Sequence, residues 1–213
     1  MAVDEPLYPV NLRVAGRRCL VVGGGPVALA KVRGLLEAEA SVTVIAPTVV
    51  PELEELAAAG VTIERRSYAP GDLDGCRLVI TTTDDPDLNE AIYLEGEAAG
   101  VWVNSADDPA HCSFTLPARL RQGPLLVTFA TGGRSPALAT WLRRTYAEEF
   151  GPEYVVLIDM LAAERDHLRS LGRPTEGLDW QPALDSGMLD LIREGRLAEA
   201  KERLQACLSS SSV

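Results

Sequence analysis

Gly23-Gly24-Gly25-Pro26-Val27-Ala28 fits the spacing G-x-G-x-x-G/A. Glycines so placed allow a tight turn and let backbone N–H groups approach a pyrophosphate at a helix N-terminus, while Ala28 permits close helix–strand packing. The chemistry indicated is dinucleotide binding. About 20 residues on, where an acid would hold the adenosine ribose, stand Ala46, Pro47 and Thr48. No arginine for a 2′-phosphate stands there either, so these residues leave NAD and NADP both open. Thr82 and Thr83, in Thr81-Thr82-Thr83-Asp84-Asp85, are expected to line the same crevice with their hydroxyls, with Asp84 or Asp85 capping the next helix. Asn104-Ser105-Ala106-Asp107-Asp108-Pro109 supplies carboxylates for proton transfer or substrate orientation. An Asp near a proline also reads as a simple turn residue, and His111 as either an acid/base group or an exposed loop side chain. In Thr131-Gly132-Gly133-Arg134-Ser135-Pro136, Ser135 suits a helix cap and the Gly132-Gly133 amides suit a carboxylate.

The elements that must position these groups follow from periodicity. Cys19–Val22 is a short β-branched run closed by glycines, and from Pro26 apolar residues recur at helical spacing (Ala28, Val32, Leu35, Leu36). Ser41–Ala46 is the second strand of a βαβ unit, whose crossover is right-handed. A helix at Val50–Ala59, strands at Val61–Arg66 and Leu78–Thr82, a helix at Asp87–Ala99 and a strand at Val101–Ser105 continue the alternation. This predicts an α/β class with an N-terminal Rossmann-like parallel sheet. The rhythm then changes. Ser113–Leu116 and Leu125–Thr131 read as strands with only a polar turn at Arg121–Pro124 between them. With no helix to cover them, they leave an edge and a face that need a partner. Helices are expected from Ser135 to about Phe150, then at Glu153–Leu171, Pro182–Arg193 and Arg196–Leu208, with a linker at Gly172–Leu178 and a disordered tail at Ser209–Ser212. The division expected is 1–112 for the dinucleotide-binding domain, 113–150 for a small α+β dimerisation and substrate-side segment, and 151–213 for a helical C-terminal domain.

Composition bounds the possibilities. The 213 residues, 46% hydrophobic and 24% charged, match a globular protein with apolar material enough for its own core. The N-terminus lacks the basic region of a secretory signal, and no apolar run spans a bilayer. Four scattered cysteines and two histidines make neither a disulfide framework nor a metal ligand set, so reduced thiols in a cytoplasmic protein are expected. The net charge of −11 argues against nucleic-acid or acidic-membrane partners. Residues 111–150, however, carry Arg119, Arg121, Arg134, Arg143 and Arg144 against only Glu148 and Glu149. That basic island is either a contact for an anionic ligand or a set of solvated arginines.

VVGGGPVALAK (21–31), TTTDDPDLN (81–89), VNSADDPAHCSFTLPA (103–118) and FATGGRSPALA (129–139) together resemble the precorrin-2 dehydrogenases, also found as the N-terminal half of siroheme synthases. The resemblance covers about residues 7–147. It implies a homodimer that oxidises precorrin-2 to sirohydrochlorin with NAD⁺, some members also inserting Fe²⁺ as ferrochelatases. By position, Asp107 matches the family's essential aspartate, and Pro26, Val27, Pro47 and Thr48 match its NAD-contact positions. Asn104, His111, Ser113, Thr131, Gly132, Gly133, Arg134 and Ser135 then fall on the substrate side. Thr131 departs from the serine that some relatives carry. Arg119, Arg121 and Arg134 flank these motifs and suit the carboxylates of the tetrapyrrole. The chain ends where fused relatives continue into a methyltransferase, and that activity is expected to be absent. A non-catalytic dinucleotide-sensing module would share the glycine turn but gives no reason for the motifs at 104–136.

Overall fold

The computed structural model describes residues 6–173, 175, 176 and 178–210. Contacts divide the chain into two units, one running to Leu116 and taking in Thr131–Ser135, the other comprising Pro117–Ala130 and the chain from Pro136 onwards.

The first unit is built on a parallel sheet of β1 (Arg18–Val22), β2 (Ser41–Ile45), β3 (Thr62–Glu64), β4 (Leu78–Thr81) and β5 (Trp102–Ser105), in the order β3-β2-β1-β4-β5. Helices α1 (Pro26–Leu36) and α2 (Pro51–Ala57) cover one face and α3 (Pro86–Ala99) the other. The central strand serves both cores. Cys19 and Val21 pack with Ala28, Val32, Leu35 and Leu53, while Leu20 and Val22 pack with Ile92 and Leu73. A parallel strand buried on both sides reads as a continuous apolar run for this reason. Each fully buried Val or Leu contributes about 1.5–3 kcal/mol, and no disulfide joins the four cysteines, all of which lie among the described residues. Of the two aspartates expected as caps, Asp85 does it: its carboxylate accepts the N–H groups of Asp87 and Leu88 at 3.1 and 3.2 Å.

After β5 the chain makes a 3₁₀ turn at Pro109–His111. It then returns beside β5, with an isolated antiparallel bridge between Asn104 and Cys112 and the Ser113 N–H donating to the Val103 carbonyl at 2.7 Å. The strand expected at Ser113–Leu116 is therefore a short return that Pro117 ends.

In the second unit the hairpin instead joins β6 (Ala118–Gln122) to β7 (Leu125–Phe129). The polar turn expected at Arg121–Pro124 is thus partly strand, because Ala-Arg-Leu-Arg-Gln alternates with period two: Leu120 is buried and Arg119 and Arg121 share the exposed face. Helix α4 (Pro136–Glu149) packs on both strands, so the expected uncovered face has a helix on it. Rings of Phe129, Tyr146, Phe150 and Tyr154 follow one another from β7 through α4 into α5 (Glu153–Ser170), with centroids 5.1–6.1 Å apart. The single helix expected at Pro182–Arg193 is two, α6 (Gln181–Leu184) and α7 (Met188–Arg193), parted by Gly187 at φ +80°. With α8 (Leu197–Ser210) they close the second unit's own core around Met188, Leu204 and Leu208. Ser209 and Ser210 extend α8 rather than starting a disordered tail; the rest of that tail lies outside the described residues. No described helix is long and apolar enough to cross a membrane.

Candidate active site

A cleft of about 480 Å³ opens at the carboxyl ends of β1, β2 and β4, walled by residues 23–27, 46–50 and 82–84. It lies where the strand order reverses between β1 and β4, the place at which open α/β sheets bind ligands.

The three glycines there have different reasons to be glycine. Gly23 sits at φ +121°, and a Cβ on it would run into the Thr82 hydroxyl. A Cβ on Gly24 would run into the Thr48 carbonyl oxygen. These two hold the strand ends together, with Gly23 N–H donating to Ile45 at 2.9 Å and Val50 N–H donating to Gly24 at 2.8 Å. Gly25 is unlike them. Its φ of −85° suits any residue, and a Cβ would meet no protein atom within 4 Å. The fold makes no demand for glycine there, so the open space is a cradle for a group from outside. Gly25 is also the N-cap of α1, which no side chain caps and which Pro26 begins, so the helix presents bare amides and its positive end to that space. A dinucleotide pyrophosphate fits this cradle.

Thr82 and Thr83 are both in the cleft wall but serve the protein first. The Thr82 hydroxyl donates to the Val22 carbonyl at 3.1 Å, and the Thr83 hydroxyl donates to Asn89 Oδ1 at 2.8 Å. Pro47 and Thr48 are exposed along the wall. One strand over, Arg65 pairs with Glu54, and Arg66 pairs with Glu64 and with Asp72, the latter at 2.7 Å.

Beside the cleft, Ala106 N–H donates to the Thr81 carbonyl at 2.9 Å and begins the turn after β5. Asp107 follows, exposed, at φ +62°. Few non-glycine residues adopt that backbone, Asp and Asn being the usual ones. Among the described residues its carboxylate has no hydrogen-bond or ion-pair partner. Asp108 differs: its carboxylate lies 2.6 Å from His111 Nδ1, and the His111 ring tilts against Tyr93 at 5.5 Å. Asn104 is buried, and its amide donates to the Phe114 carbonyl at 2.8 Å. The Ser113 hydroxyl donates to Glu97 at 2.7 Å. Thr131 takes a capping role, its hydroxyl accepting the Ser135 N–H at 3.1 Å, while Gly132 and Gly133 hold φ of +59° and +74°. The first unit thus brings together the glycine turn, the Asp107 turn and the Thr131–Ser135 loop; Arg119 and Arg121 belong to the second. Val49 and Val50 also line the cleft and Cys112 underlies the Asp107 turn, none of which a spacing rule marks; Ala46, marked by spacing, and Asp84, expected only as a cap, line the cleft too.

The sheet order, the cleft at the switch point and the open cradle at Gly25 define a dinucleotide-binding α/β protein. The chain belongs to the family described as putative NAD(P)-binding, whose model matches residues 10–118. It is 37% identical to the siroheme synthase of Nitrosococcus oceani over 96% of its own length and 44% of that protein's. It is 35% identical to the siroheme synthase of Chromobacterium violaceum, over 97% and 44%. The chain therefore spans less than half the length of these curated relatives. The solved structure of SirC, a precorrin-2 dehydrogenase, shares the fold with a TM-score of 0.69 at 24% identity, covering 94% of this chain and 98% of that one.

Proposed function

We propose that this chain oxidises precorrin-2 to sirohydrochlorin with NAD⁺, with Asp107 as the group that takes or guides the proton. The observation that carries this is the Asp107 carboxylate: unpartnered among the described residues, exposed, and on a left-handed turn beside the cleft. The siroheme synthase relatives and the four motifs quoted above support the same reading. The oxidation removes two hydrogens from the macrocycle, one as hydride and one as a proton. NAD⁺, when bound, supplies the hydride acceptor. The bare amides at Gly25, Val27 and Ala28 would hold its pyrophosphate, and Pro47, Thr48, Thr82 and Thr83 would line its remaining length. The Gly132 and Gly133 amides and Arg134 would meet substrate carboxylates. The decisive assay is anaerobic turnover of precorrin-2 with NAD⁺, followed by absorbance. Sirohydrochlorin formation is expected; NAD⁺ binding without turnover would favour a dinucleotide-sensing module instead. Adding Fe²⁺ or Co²⁺ as substrate after oxidation tests metal insertion in the same cuvette.

NAD⁺ is preferred over NADP⁺ in this reading. The end of β2 offers Ala46, Pro47 and Thr48, and the nearby guanidiniums of Arg65 and Arg66 are already matched by Glu54, Glu64 and Asp72. A 2′-phosphate would enter a region with more carboxylates than free cations. Calorimetric titration is expected to give tighter NAD⁺ than NADP⁺ binding, and the reverse order would overturn the preference.

A homodimer through residues 113–150 completes the proposal. Trp141 and Tyr146 on α4 stand 59% and 41% exposed, and the two-stranded hairpin presents open edges, which proteins ordinarily cover. Light scattering at micromolar concentration is expected to report twice the chain mass; a monomer there would count against it.

A further inference from the structure

We infer that Cys112 is a positioning residue for Asp107, its thiol clasping both ends of the turn that holds the Asp107 backbone in the left-handed region. This rests on the reading of Asp107 given above. The sulfur accepts the Ser105 N–H at 3.2 Å and lies 3.5 Å from Asn104 Nδ2. It also stands 3.3 Å from the Ser105 carbonyl and 3.2 Å from the Asp108 carbonyl, to either of which the S–H can donate. One atom therefore touches the residue two before Asp107 and the residue just after it. Among the described residues the Asp107 side chain has no partner of its own, so its φ of +62° is imposed from its flanks. Those flanks are Ala106 on Thr81, the Asp108 N–H on the Ser105 carbonyl at 3.3 Å, and the thiol.

The choice of sulfur follows from reach. Hydroxyl hydrogen bonds close at about 2.7–2.8 Å, too short to serve all four groups from one point, whereas each contact here is 3.2–3.5 Å. Burial, foremost, raises the thiol's pKa, so the proton stays on sulfur at neutral pH and donation to a carbonyl is retained. The rest of the loop has its own ties. Asp108 pairs with His111, and Ser113 pairs with Val103 and Glu97. Loss of the thiol should thus loosen the Asp107 turn without unfolding the unit.

The test uses the full chain with Cys112→Ala, Cys112→Ser and Asp107→Asn. Cys112→Ala is expected to lower kcat about 10–100-fold, the size of loss a misplaced group produces, while leaving the NAD⁺ dissociation constant unchanged. In ¹⁵N spectra the Asp107 and Asp108 amide signals should move or broaden, and Cys112→Ser should restore part of kcat. Wild-type kcat in Cys112→Ala, or an undisturbed Asp107 amide, would overturn the inference. The two failures separate cleanly: an active Asp107→Asn sinks the catalytic reading itself, whereas an inactive Asp107→Asn beside a fully active Cys112→Ala sinks only the clasp.

Discussion

Asp107→Asn is expected to cut precorrin-2 turnover by roughly 10²–10⁴-fold, the usual worth of a general base, with NAD⁺ affinity and thermal stability unchanged. Asn is the informative replacement because it tolerates the left-handed backbone about as well as Asp does, so only the carboxylate is lost. Asp107→Ala removes the carboxylate and adds about 1–2 kcal/mol of left-handed strain. If both variants lose activity equally, the charge matters; if only Ala does, the backbone matters and the proton-transfer role is wrong. The neighbours behave as a unit in this structure. Asp108 and His111 contact one another at 2.6 Å, so Asp108→Ala and His111→Ala should have similar, milder effects. Their double mutant should cost little more than either alone. Steady-state kinetics on the four single variants and the double mutant, with NAD⁺ titrated separately, checks all of this. Near wild-type turnover in Asp107→Asn would reduce the aspartate to a turn residue.

The parts of this site legible in the sequence are those governed by local period. The glycine turn follows a strand and opens a helix within one βαβ unit, and Asp85-Pro86 starts α3 as a cap followed by proline should. What could not be read is set by contacts distant in the chain. The hairpin strand at Ala118–Gln122 looks polar because its two arginines share one face, and only the buried Leu120 reveals the other. Arg65 and Arg66 come close to the end of β2 only because β3 pairs with it, Ile45 opposite Glu64. Scanning residues 46–48 for a cation therefore misses them. Nor does composition show that Asp107 takes a positive φ while Asp108 turns to His111. That difference arises from the return of residues 112–114 along β5, a tertiary contact with no periodic signature.

Gly25→Asp is expected to abolish NAD⁺ binding while leaving the fold intact or slightly more stable. The usual reasoning, that a glycine in a tight turn cannot be replaced, holds for its two neighbours. A side chain on Gly23 or Gly24 must displace Thr82 or the Thr48 backbone, so Gly23→Ala and Gly24→Ala should lower Tm. Gly25 has an extended φ and ψ of −85° and −173° and occupies the N-cap of an uncapped helix. Asp is among the best N-cap residues and improves on Gly by a few tenths of a kcal/mol, and its charge favours the helix's positive end. The carboxylate that stabilises the protein in this way would occupy the space of the pyrophosphate and repel it. Two measurements divide the effects. Without ligand, Tm of Gly25→Asp should equal or exceed that of the wild type. With NAD⁺ at 100 times the wild-type dissociation constant, the wild type should gain about 2.7 kcal/mol of stability and the variant none. Binding by Gly25→Asp within a few-fold of wild type would mean that the dinucleotide does not lie in this cradle. A collapse of Tm would mean instead that the open space over Gly25 is needed by the fold itself.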